Sequence, residues 1–112
     1  MTISPMSQSV STPSEPAPFG LIGHIKVQPG RRAELAAILT EGSGEMPGCL
    51  SYIVAEDLTD PDGLWVTEVW RDRVAHRASL ELPSVQEAIG RGRPLIVEFD
   101  AFHETRPLGV ES

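Results

Sequence analysis

The order of periodic segments predicts an α+β fold: strand, helix, strand, strand, helix, strand, folded into a four-stranded antiparallel sheet with its helices on one face. Three observations carry this. Apolar residues alternate with more polar ones in two runs near the ends, at Phe19, Leu21, Gly23, Ile25 and Val27 and again at Leu95, Val97, Phe99 and Ala101. Asp60-Pro61-Asp62-Gly63 supplies turn chemistry between two strand-like runs, and Leu35, Ile38 and Leu39 recur at helical spacing.

Taken in order, the first strand covers residues 19–27 and is broken by Pro29-Gly30. An amphipathic helix follows over residues 31–42, with Glu34 and Glu41 outside and Gly42-Ser43-Gly44 as its stop; its Arg31-Arg32 start opposes the helix dipole. Residues 49–56 and 64–71 form a hairpin that brings Trp70 and the carboxylate of Glu68 to one face of the sheet. Asp72 caps a short helix through Val74, Ala75, Ala78 and Leu80, which Pro83 interrupts. Ser84-Val85-Gln86-Glu87 reads as a capping box that starts another turn or two, ended by Gly90 and Gly92, and the fourth strand runs from after Pro94 to about residue 103. The result is a ferredoxin-like sandwich. Its other sheet face would carry Ile22, Phe102 and either Trp65 or Trp70, so it needs a cover, and a second copy related by a two-fold axis supplies one.

At 112 residues the chain has room for one core, expected over residues 19–106 with a tail at 107–112. Residues 1–18 are rich in Ser and Pro without apolar periodicity, the composition of a disordered leader and not of a signal peptide. No segment approaches the roughly 20 apolar residues of a membrane span, so a soluble protein is expected. The single Cys49 agrees with a reducing cytoplasm, and a net charge of -7 with scattered arginines argues against nucleic acid as a partner.

The run Pro47-Gly48-Cys49-Leu50-Ser51-Tyr52, the Asp60-Pro61 turn, Glu68-Val69-Trp70, and Ala75-His76 through Leu82-Pro83 to Pro94-Leu95-Ile96 resemble the antibiotic biosynthesis monooxygenase family, including its quinol-monooxygenase-like members. The resemblance spans about residues 19–105. It implies a homodimer whose two sheets form an α/β barrel, with a ligand pocket between each sheet and its helices. It also implies a cofactor-independent monooxygenase acting on a small aromatic substrate, a quinol or polyketide-type phenol, with molecular oxygen. Trp70 falls where the polyketide and haem-degrading branches have a pocket tryptophan, and His76 where the former have a tyrosine. Val66 and Ala55 replace an asparagine and a histidine of some polyketide enzymes. Gly23 and Ile89 stand where haem-degrading members have an asparagine and the haem-ligating histidine, which disfavours haem degradation.

Cofactor-free oxygenation requires an apolar hollow, a proton acceptor and donors for an oxyanion. Trp70, Glu68 and His76 are therefore the candidate catalytic residues, with Tyr52, Val66, Gly23 and Ile89 as candidate substrate-binding walls. Structural readings stand beside these: Glu68 as the buried partner of Arg77, Arg91 or Arg93, His76 as a solvated surface residue, Tyr52 as a packed strand aromatic, and Trp70 as core. No histidine pair has metal-motif spacing and no cofactor motif is found, so no metal or cofactor is assigned. His24 and Lys26 are expected to meet Glu98 or Asp100 across strands. A binding dimer of the same fold without catalysis is the competing reading.

Overall fold

The computed structural model describes residues 17–109. Nearly all of the leader expected over residues 1–18, and the last three residues of the chain, lie outside the described residues. The elements are β1 (Phe19–Val27), α1 (Arg32–Gly42), β2 (Cys49–Glu56), β3 (Gly63–Trp70), α2 (Arg73–Ser79), α3 (Pro83–Gly92), a 3-10 turn (Arg93–Leu95) and β4 (Ile96–Thr105). The four strands form one antiparallel sheet in the order β2-β3-β1-β4, so the fold is the expected ferredoxin-like sandwich. Among the described residues no helix is long and apolar enough to cross a membrane.

β1 lies inside the sheet, and its nine residues are nearly all buried. Phe19, Leu21, Ile25 and Val27 point to the helices, where Leu35 and Ile38 of α1 and Leu64 and Val66 of β3 complete the larger core cluster with Ile25 and Val27. Phe19 and Leu21 instead join Trp70 and Ala75 in a second cluster at the far end of the sheet. The gap between the clusters is where the site lies.

The Arg31-Arg32 start of α1 acquires a reason. Arg31 pairs with Glu34, and Arg32 Nη1 donates to the backbone carbonyls of Asp57 (3.2 Å) and Asp60 (2.8 Å), tying the β2–β3 turn to the helix. Those bonds offset the unfavourable dipole term.

Asp72 caps α2 as expected, its carboxylate accepting from the Ala75 amide at 2.8 Å. The expected capping box at Ser84 does not form. α3 starts at Pro83, whose fixed φ suits a first helical position and whose missing N–H costs nothing there, and Leu82 takes the cap position without a side-chain bond.

The β4 alternation is also corrected. Gly23 faces Phe102, Ile25 faces Phe99 and Val27 faces Ile96, with register shifts after His24 and after Lys26. Val97 and Asp100 are bulged, so Ile96, Phe99 and Phe102 share the helix face at a spacing of three residues instead of two. Phe102, expected on the open face, is therefore on the helix face. Trp70 is there too, 1% exposed, while Trp65, opposite His24 and Ala55, belongs to the open face.

Candidate functional site

Directly opposed residues of antiparallel strands share a face, which places Tyr52, Glu68 and Leu21 in one row and Val54, Val66, Gly23 and Phe102 in the next. All turn toward the helices. Gly23 carries no side chain there and Val66 only a short one, so the rows leave a hollow between sheet and helices. It is an apolar cavity of about 370 Å³, walled by β1, β2, β3 and β4 and by side chains of α1, α2 and α3.

All seven candidate site residues line this cavity: Trp70, His76, Glu68, Tyr52, Val66, Gly23 and Ile89; Ala55, opposite Trp65, does not. Its wall also includes Phe99, Phe102 and Arg93, which sequence reasoning missed as site residues. The signal for the two phenylalanines was present in Phe99-Asp100-Ala101-Phe102, where two aromatics three apart around a polar residue fit a bulged strand better than an alternating one.

Glu68 is the chemically distinctive group. Its Oε1 accepts from Trp70 Nε1 at 2.9 Å, and it makes no ion pair among the described residues; the arginine partnership considered above does not form, Arg91 pairing with Glu41 instead. Burial pushes its carboxyl above the usual carboxylate range, against the indole hydrogen bond and the nearby charge of His76, which both pull it down. Tyr52, across the strand pair from Glu68, has its phenol pushed far up, first by burial and then by the Glu68 charge. His76, one residue after Ala75 on α2, meets the Trp70 ring edge-on with centroids 5.4 Å apart and lies 5.5 Å from the Phe19 ring. The position is packed and only partly exposed, unlike a solvated helix residue. Arg73 caps the stack, its guanidinium 4.3 Å from the Phe19 centroid.

This arrangement can hold a planar apolar ligand against the indole and offer it a carboxylate, an imidazole and a phenol. A carboxylate desolvated in this way is a stronger base than one in water.

A second polar cluster lies on the open face. His24 is buried, its Nδ1 2.6 Å from Asp100 Oδ1 and its Nε2 2.8 Å from Asp57 Oδ2, with Trp65 edge-on at 4.6 Å. The expected contact with Asp100 is thus present, and Lys26 reaches Asp60 at 3.4 Å, although Glu98 is its cross-strand neighbour. His24, Asp57 and Asp60 have donor atoms within 4.8 Å of one another, close enough to hold a cation. Here the two carboxylates are paired, Asp57 with the imidazole and Asp60 with Lys26.

The sequence matches the antibiotic biosynthesis monooxygenase family over residues 18–91. A protein of Chloroflexus aurantiacus J-10-fl, provisionally named an antibiotic biosynthesis monooxygenase, has a crystal structure similar to this one. It is 55% identical, with a TM-score of 0.83 over 86% of this chain and 98% of that one. A Caulobacter crescentus CB15 structure with the same provisional name shares the fold at 18% identity, with a TM-score of 0.76 over 83% of this chain and 92% of that one. An uncharacterized protein of Synechocystis sp. is 32% identical over 72% of this chain, and the match spans 57% of that protein's length.

Proposed function

The chain belongs to the antibiotic biosynthesis monooxygenase family, and we propose on that premise that it oxygenates a small phenol or hydroquinone in the cavity beside Trp70, working as a cytoplasmic homodimer without a metal or flavin. The observation that carries the reading is a buried carboxylate, Glu68, in the wall of an apolar cavity, which among the described residues makes no ion pair, accepts from an indole and has the His76 imidazole nearby. Glu68 takes the phenolic proton from the bound substrate, and the electron-rich phenolate gives electrons to O2. One oxygen atom enters the ring carbon and the other leaves as water, so a phenol and O2 become a quinone and H2O. His76 and the Trp70 edge orient the ring, Tyr52 serves as a donor to the developing oxyanion, and Val66, Gly23 and Ile89 set the width of the slot.

The test is oxygen uptake by the purified chain on a panel of hydroquinones and anthrone-type phenols. Uptake above the spontaneous rate, lowered by Glu68→Gln, is expected; no acceleration on any of them sinks the proposal. A phenol that binds tightly and is recovered unchanged points instead to a binding protein of the same fold.

A further inference from the structure

We propose that the His24–Asp100 pair pins the bulge in β4 and so places Phe99 and Phe102 in the cavity wall, making His24 a positioning residue through which protonation on the open face governs ligand binding on the other. The inference rests on the cavity being a ligand site and not on the oxygenation chemistry.

Phe102 faces Gly23 on the cavity side. Strict alternation back from Phe102 would set Asp100 opposite Ile25, in the apolar wall, and would turn Phe99 outward opposite Lys26. The bulge exchanges them. Phe99 comes into the wall opposite Ile25, and Asp100 is free to meet the His24 imidazole. Such a bulge leaves an unpaired residue in an edge strand, so something other than ladder hydrogen bonds must fix it. The 2.6 Å contact between Asp100 Oδ1 and His24 Nδ1 is that anchor.

Only the protonated ring fits both its partners. A neutral imidazole has one N–H and can donate to a single carboxylate, whereas Nδ1 and Nε2 each face one, Asp100 and Asp57. The charged groups around the ring are Asp57 and Asp60 from the β2–β3 turn, Lys26 from β1, and Glu98 and Asp100 from β4; His103 lies further along the same face, opposite Ile22. β3 contributes Trp65 and Gly63, neither charged, and a side chain at Gly63 would strike the ring, since a Cβ there would lie 2.7 Å from Nε2. Burial alone lowers the pKa of His24, but the bonds to Asp100 and Asp57 outweigh it and the net shift is upward from 6.5. The clamp is therefore complete below that value and is lost as pH rises through the higher folded value.

The test begins with the unaltered full chain. Nuclear magnetic resonance follows the His24 ring and the amides of Phe99 and Phe102 as pH is raised from below 6.5 until the ring has lost its proton, which the upward shift places above that ordinary value. Coincident midpoints are expected, and amides that stay still while the ring titrates overturn the proposal. Naphthalene, which has no titrating group, then probes the cavity by calorimetry. Its affinity should fall roughly tenfold across that range, as loss of one charge-assisted hydrogen bond allows, while His24→Gln binds at the weak level throughout. A His24→Gln chain that keeps tight, pH-dependent binding overturns the proposal. Neither readout involves oxygen, so failure of the oxygenase reading leaves this test intact.

Discussion

Glu68 and Trp70 are two residues apart on one strand face, and among the described residues the indole N–H is the one hydrogen-bond donor the carboxylate meets. Trp70→Phe keeps most of the packing and removes that donor, so the Glu68 pKa should rise further and the fold should lose about 1–3 kcal/mol; carboxyl carbon titration and urea unfolding measure the two effects. Glu68→Gln is the complementary change, uncharged but still able to accept from Nε1. The sign follows from the upward shift. A carboxyl whose folded pKa exceeds its unfolded value of 4.5 contributes stability below that value and loses it as pH rises through the folded one. Glu68→Gln should therefore melt higher than the natural chain at neutral pH, the difference closing below about pH 4, while oxygen uptake drops roughly a hundredfold or more. Equal uptake in the two proteins removes Glu68 from the chemistry.

At the level of elements, the Pro47-Gly48 step into β2 shows how a backbone constraint reaches the site. Gly48 has φ +84, and a Cβ there would lie 2.5 Å from the Ala75 side chain on α2. Gly48→Ala should cost about 1–3 kcal/mol in urea unfolding, and because His76 follows Ala75 it should also slow turnover by shifting the edge contact with Trp70. The strand entry at Pro47-Gly48 and the cap at Asp72 could be located from sequence by residue type, and β1 and the hairpin by period, whereas the approach of Gly48 to Ala75 could not. Alternation carries Glu68 and Val66 along with Trp70, but period alone left Trp65 and Trp70 as rivals for the open face, and only the family resemblance placed Trp70 in a pocket. β4 was not legible, because two bulges break its alternation and the partner of the bulged Asp100, His24, is 76 positions away in the chain. The Ser84 capping box failed for a local reason, since Pro83 starts α3 one residue earlier.

For the whole molecule, the open face of the sheet is the surface that the proposed homodimer would bury. Ile53 is 54% exposed and Trp65 38%, and Ile22 and Val69 are only partly covered, an apolar surface on a chain with net charge -7. Charge of one sign opposes association, yet scattered acidic groups cost little at physiological salt beyond about 8 Å, while a stable interface needs about 800 Å² per partner. A sheet face of four strands offers an area of that order, and a two-fold axis lets Ile53 and Trp65 of one copy meet the same surface of the other. Sedimentation velocity at micromolar concentration should give twice the 12.1 kDa chain mass. Ile53→Asp, on the edge strand β2 and away from the core, should yield single chains with an unchanged circular dichroism spectrum, because a carboxylate buried against its own symmetry mate is unpaired. The cavity lies on the opposite side of the sheet, so naphthalene affinity should survive that change within about threefold. If the natural chain sediments as 12.1 kDa at that concentration, the homodimer proposal fails.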